Sequence, residues 1–267
     1  MNERRAEIIY TYGEGDSEAA RLALVADLFE GASRTLLSEA VGFRPRLALD
    51  LGCGPGHTTR LIDEVLRPDR VVGVDRSASL LSKARATSRG ISFVPRDVTR
   101  MPLPCDGKAD LIYARLLLSH LPDPEGAVKD WLAQLAPGGL LLLDEVERIE
   151  TEQPVFREYL RILAEMMAHH GQELYVGPRL EAATKGLARR MSRVAPASPA
   201  TAHVARMFSI NLANWRGNDF VRANHAEEEL DRLAVGLSQL TESRDTAEIR
   251  WGMRQIAIER TRRHEGA

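Results

Sequence analysis

One stretch restricts this chain more than any other: Leu47-Ala48-Leu49-Asp50-Leu51-Gly52-Cys53-Gly54-Pro55-Gly56-His57-Thr58-Thr59. An apolar run ends in an acid, three glycines follow at alternate positions, and helix-forming residues begin at Thr58. The order reads strand, tight loop, helix, the opening of an α/β unit with a parallel sheet. Glycines here allow positive φ and let a ligand lie against bare backbone.

Charge narrows the ligand. A dinucleotide loop leaves two residues between its second and third glycines and seats pyrophosphate on the helix N-terminus, but here position 57 is His and Asp50 at the loop mouth would repel phosphate. No lysine follows the glycines, which excludes a P-loop. A ligand carrying positive charge beside an adenosine fits, and S-adenosylmethionine is such a ligand.

Four further segments stand in order behind the loop. Val71-Val72-Gly73-Val74-Asp75 reads as a second strand whose acid falls 25 residues after Asp50. Phe93-Val94-Pro95-Arg96-Asp97-Val98, Asp110-Leu111-Ile112-Tyr113-Ala114-Arg115 with Ser119-His120-Leu121-Pro122, and Pro137-Gly138-Gly139-Leu140-Leu141-Leu142-Leu143 follow. Together, residues 47–145 resemble the class I S-adenosylmethionine-dependent methyltransferases, and the flanking parts resemble them loosely. The resemblance implies a doubly wound, mostly parallel seven-stranded Rossmann-like sheet with an N-terminal helical cap and a helical lid after strand five. It implies three parts: an arm and cap over 1–45, a cofactor-binding core over 46–150, and a lid with the last strands over 151–267.

The resemblance also implies site roles. Gly52, Cys53, Gly54 and Gly56 give backbone approach, Asp50 meets the methionine ammonium end, and Asp75 with neighbouring Arg76 meets the ribose. Asp97 faces the adenine amino group beside Val98, and Arg115 lies where the ligand passes. Tyr12, like Tyr10, either reaches the methionine end or anchors the arm. His120 and Glu145 are the candidate bases; His120 could equally be a packing residue and Glu145 a surface acid or cap. A positioned base gives typically 10²–10⁴-fold, whereas orientation supplies about 10⁵–10⁸ M of effective molarity, so a base is not essential.

The rest of the chain sets bounds. Its 267 residues, 44% hydrophobic, suffice for one large α/β domain. With 36 basic against 38 acidic residues there is no global attraction for nucleic acid or anionic membrane. Two cysteines argue against a disulfide framework, and His169-His170 lack the spacing of a metal site, so no metal is expected. No segment reads as a leader or membrane span, which points to the cytoplasm.

Beyond residue 150, Val155, Phe156, Tyr159, Leu160, Leu163 and Met166 keep helical spacing after Pro154, and residues 202–240 are helical by pattern. Residues 190–195 and 251–260 read as the last strands, the final one at the sheet edge. Arg179, Arg216 and Arg222 could receive an anion or be solvated. The reading is a methyltransferase of specialised metabolism acting on a small-molecule acceptor, with O-methylation favoured over N-, C- or carboxyl-methylation, as monomer or homodimer. The alternative is a protein that binds S-adenosylmethionine without methyl transfer, as a sensor or a non-redox catalyst such as a cyclase.

Overall fold

The computed structural model describes residues 16–105, 107–242 and 249–261; Tyr10 and Tyr12 lie outside them. Seven strands form one sheet: β1 (Leu47–Leu51), β2 (Arg70–Asp75), β3 (Ser92–Pro95), β4 (Ala109–Arg115), β5 (Leu135–Thr151), β6 (Arg189–Ala197) and β7 (Ile249–Glu259). Their order is β3-β2-β1-β4-β5-β7-β6. Strands β1 to β5 pair in parallel, and β7 runs antiparallel to both β5 and β6. Leu49, Val72, Ile112 and Leu141 are fully buried, as residues of a sheet covered on both faces must be. The order reverses between β1 and β4, where an open α/β sheet leaves a crevice at its carboxyl edge.

Around the sheet stand α1 (Asp16–Ala40), α2 (His57–Leu66), α3 (Ala78–Thr87) and α4 (Pro124–Gln134), then α5 (Pro154–His169), α6 (Gly177–Thr184), α7 (Thr201–Trp215), α8 (Asp219–Asn224) and α9 (Glu227–Glu242). Two of the early helices start on side-chain caps: Ser77 accepts from the Leu80 amide and Asp123 from the Gly126 amide. Helix α5 begins with Pro154 at its first position and has its apolar stripe on the buried side, with Phe156, Tyr159 and Leu163. These residues join α7 and α9 in a cluster that includes Phe208, Trp215 and Leu237. None of the described helices is long and apolar enough to cross a membrane.

Two details add to the sequence reading and a third, the place of the last strand, corrects it. Helix α1 runs unbroken through Gly31, which points into open space; an exposed glycine costs a helix only about 1 kcal/mol. Strand β5 continues past the core to Thr151 and pairs along β7 after a bulge between Val146 and Arg148. The last strand is also internal, because β6 takes the edge. Trp251, Met253, Ile256 and Ala257 of β7 are buried, whereas β6 presents Arg189, Arg190 and Arg193, and charged residues suit an edge strand.

Candidate functional site

The loop after β1 is stitched to the end of β2. The Gly52 and Cys53 amides both donate to the Val74 carbonyl, at 2.8 and 3.1 Å, and the Gly54 amide donates to Asp75 Oδ2 at 2.9 Å. The other Asp75 oxygen accepts from the Ser77 amide at 2.8 Å. Gly52 and Gly54 have φ of 68° and 51°, the left-handed region in which a side chain is strained. Their bare backbone walls a cleft of about 220 Å³ at the carboxyl edge of the sheet.

The cleft gathers most of the residues singled out in the sequence: Gly52, Cys53, Gly54, Asp75 and Arg76 from the first two strand ends. Asp97 and Val98 follow β3, and Arg115 and His120 follow β4. Asp75 is pushed up by burial, against which the Ser77 and Gly54 amides act. Burial also raises Asp97, but the Thr99 hydroxyl and amide and the Arg100 charge outweigh it and hold the group below its usual range. Both acids line the cleft, and carboxylate oxygens there are acceptors for hydroxyl or amino groups of a ligand.

Three of the singled-out residues are not among the residues lining the cleft. Asp50 is buried behind the loop, where its Oδ2 accepts from the Thr58 and Thr59 hydroxyls at 2.6 Å each. Burial pushes its pKa up to about 6 against those two donors. Gly56 faces the core: a Cβ there would meet the Phe93 ring at 2.9 Å and Ala84 at 3.2 Å. Glu145 is fully buried, and its Oε1 accepts from the Leu117 and Leu118 amides at 2.8 Å each. Burial pushes that carboxyl up to about 8, with the two amides opposing. Glu145 holds the turn that carries His120. Cys53, whose thiol burial pushes far up, is inert as a nucleophile.

His120 sits in the cleft wall with its pKa lowered to about 4, by burial first and the Arg21 charge second, while a hydrogen bond with Gln172 acts the other way. Such a group is neutral at pH 7 and a weak base, since an efficient general base has a pKa near the working pH.

Sequence reasoning missed two buried polar groups. Asp144 accepts from Ser33 Oγ at 2.8 Å and the Tyr113 hydroxyl at 3.1 Å through one oxygen, and from Gln255 Nε2 at 3.3 Å through the other. Arg115, its register neighbour on β4, donates to the same Ser33 hydroxyl. The second is the buried pair Glu18–Arg21, whose arginine lines the cleft. An acid inside the apolar run Leu140–Val146 was the available signal for the first; nothing in a surface-like helical pattern announces the second. Arg179, Arg216 and Arg222 lie outside the cleft lining and pair with Glu125, with Glu227 and Asp231, and with Asp219.

The same cleft has an apolar part, a chamber lined by residues of the later elements. Val146 and Ile149 of β5, Trp251 of β7, Leu163 of α5 and Phe208 of α7 face it.

The fold is similar to that of known methyltransferases. Residues 49–143 match the methyltransferase domain family. The chain is 42% identical over 98 residues to a trans-aconitate 2-methyltransferase of Methylobacterium radiotolerans, 36% of each chain. It is 30% identical over 151 residues to the enzyme of that name from Methylobacterium nodulans, 56% of this chain and 57% of the other. The chain thus spans a third to just over half the length of these curated relatives. In three dimensions it is similar to a Haemonchus contortus phosphoethanolamine N-methyltransferase at a TM-score of 0.54 and 16% identity, over 92% of this chain and 58% of that one. Residues 49–143 thus match a methyltransferase domain, and the seven-stranded fold is similar to that of known methyltransferases.

Proposed function

We propose that the protein transfers the methyl group of S-adenosylmethionine to an oxygen of a small-molecule acceptor. The observation that carries the reading is the continuity of one cleft, which runs from the bare backbone of Gly52 and Gly54 and the acids Asp75 and Asp97 into the apolar chamber. Asp75 accepts from the ribose hydroxyls, Asp97 and Val98 receive the adenine, and the glycine loop receives the methionine portion. Asp50 supports that loop through Thr58 and Thr59, one turn behind it. The part beyond residue 151, with α1, forms the acceptor side.

The sulfonium supplies an activated methyl group, so the chain's own task is to orient the acceptor and exclude water, and that term outweighs base catalysis. His120, neutral and tied to Gln172, acts as wall and hydrogen-bond partner to the site. The test is turnover: S-adenosylhomocysteine accumulating with an oxygen-bearing acceptor, together with an O-methyl product by mass spectrometry, supports the reading. Tight cofactor binding with no methylated product across hydroxyl and carboxylate acceptors would instead favour a binding protein without transfer.

A further inference from the structure

The acceptor chamber has a chemical character of its own. The side chains that reach it from β5, β7, α5 and α7 carry no charge among the described residues, and most are aliphatic or aromatic. The exception is Asn211 on α7, only 3% exposed and lining the chamber. Its amide nitrogen donates to the Tyr159 hydroxyl at 2.6 Å, which leaves the amide oxygen buried with no hydrogen-bond partner among the described residues. A buried acceptor left unpaired is costly unless something meets it.

That oxygen is held in place. Tyr159 stacks on Phe208 with ring centroids 3.6 Å apart and planes 9° apart, and on Trp215 at 4.7 Å. Tyr159 is therefore held by two rings and holds Asn211 in turn through the hydrogen bond, which places one polar atom in an apolar wall. The nearby cations are already matched: Arg21 by Glu18 at 2.5 Å, and Arg115 by the Asp144 charge and the Ser33 hydroxyl. Arg76 and Arg96 also line the cleft, next in sequence to Asp75 and Asp97, but the side chains from β5, β7, α5 and α7 include no cation, so a polyanion entering among them would lose its hydration against hydrocarbon.

We infer that the acceptor is an uncharged molecule with an apolar, ring-sized body and one N–H or O–H group that donates to the Asn211 amide oxygen. This rests on the methyltransferase reading and narrows its substrate class. It departs from the tricarboxylate that the relatives' name denotes, and the methyltransferase-domain match at 49–143 ends before α5 and α7 begin.

The test is calorimetric, on the full chain saturated with S-adenosylhomocysteine, titrated with 2-naphthol, 2-methoxynaphthalene and trans-aconitate. The expected result is that 2-naphthol binds at least tenfold more tightly than its methyl ether and that trans-aconitate gives no binding. Asn211→Leu should erase the difference between the two naphthalenes while S-adenosylhomocysteine still binds. Equal affinity for naphthol and ether on the native chain, binding of neither, or tighter binding of trans-aconitate overturns the inference. Because the two naphthalenes are compared on the native chain, a variant that fails to fold does not blunt the test. Failure of the methyltransferase reading is distinguishable: it appears as absent binding of S-adenosylhomocysteine when the complex is formed, or as no methylated product from any acceptor when S-adenosylmethionine replaces it, whereas failure of this inference appears only in the comparison of the three ligands.

Discussion

The Gly54 amide donates to the Asp75 carboxylate at 2.9 Å, so the loop after the first strand and the acid after the second are one unit. On the proposed function Asp75 has two tasks, to present oxygens to a ribose and to hold the loop that a ligand must lie against. Asp75→Ala removes both. The expected loss in affinity for S-adenosylhomocysteine is about 1–3 kcal/mol, roughly five- to 150-fold, for a hydrogen-bonding group of this kind. Titration calorimetry reads it directly, and unchanged affinity would remove Asp75 from the site.

His120→Asn separates a wall residue from a base. A group whose pKa lies near 4 contributes little proton transfer at neutral pH, so turnover should fall less than about tenfold, below the range typical of a lost general base. Steady-state kinetics with a methylated acceptor checks this, and a fall of a thousandfold would restore the base.

Glu145 titrates far from the ordinary carboxylate range, and the sign of its effect is fixed by linkage. Its folded-state pKa of about 8 lies above that of the unfolded chain, so the protonated form is preferred in the fold. Its contribution is fully present below the unfolded value and lost as pH rises through about 8. Asp50, raised to about 6, acts in the same direction at lower pH, and His120, lowered to about 4, acts in the opposite direction below its unfolded value near 6.5. The window from about pH 6.5 to 8 therefore isolates Glu145 from both. Urea unfolding should show the native chain losing stability across it, and Glu145→Gln, which keeps an acceptor for the Leu117 and Leu118 amides, should flatten that slope.

Gly56 is a packing glycine rather than a cleft glycine. At φ 80° with the Phe93 ring 2.9 Å from where a Cβ would stand, Gly56→Val combines backbone strain of about 1–3 kcal/mol with overpacking of about 1–3 kcal/mol. The midpoint of urea unfolding should fall accordingly. Gly54→Val carries the same backbone strain at φ 51° but little overpacking, since the nearest atom to its Cβ is Leu22 Cδ1 at 3.4 Å, so its midpoint should fall less and a loss of ligand binding should accompany it.

The sheet was legible because its strands are apolar runs ending in acids or glycines, and strands buried on both faces cannot be written otherwise. Asp75, Asp97 and Arg115 are placed at strand ends by the apolar runs before them and by the resemblance those runs carry, and the cleft brings them together. Asp50 and Glu145 illustrate what spacing leaves out. An acid within a strand can turn toward the crevice or behind it, and the direction is set by the hydroxyls of Thr58 and Thr59 for Asp50 and by the amides of Leu117 and Leu118 for Glu145. The acceptor side was least legible, because Asn211 matters only through its contact with Tyr159, 52 residues away, and helical periodicity marks Tyr159 as core and nothing more.

A crystal structure with S-adenosylhomocysteine tests the central claim most directly. The account predicts ribose hydroxyls within hydrogen-bonding distance of the Asp75 carboxylate, roughly 2.5–3.0 Å, with adenine beside Val98 and the amino-acid portion over Gly52 and Gly54. Density for the ligand outside this cleft, or inside it with Asp75 making no contact, would contradict the account.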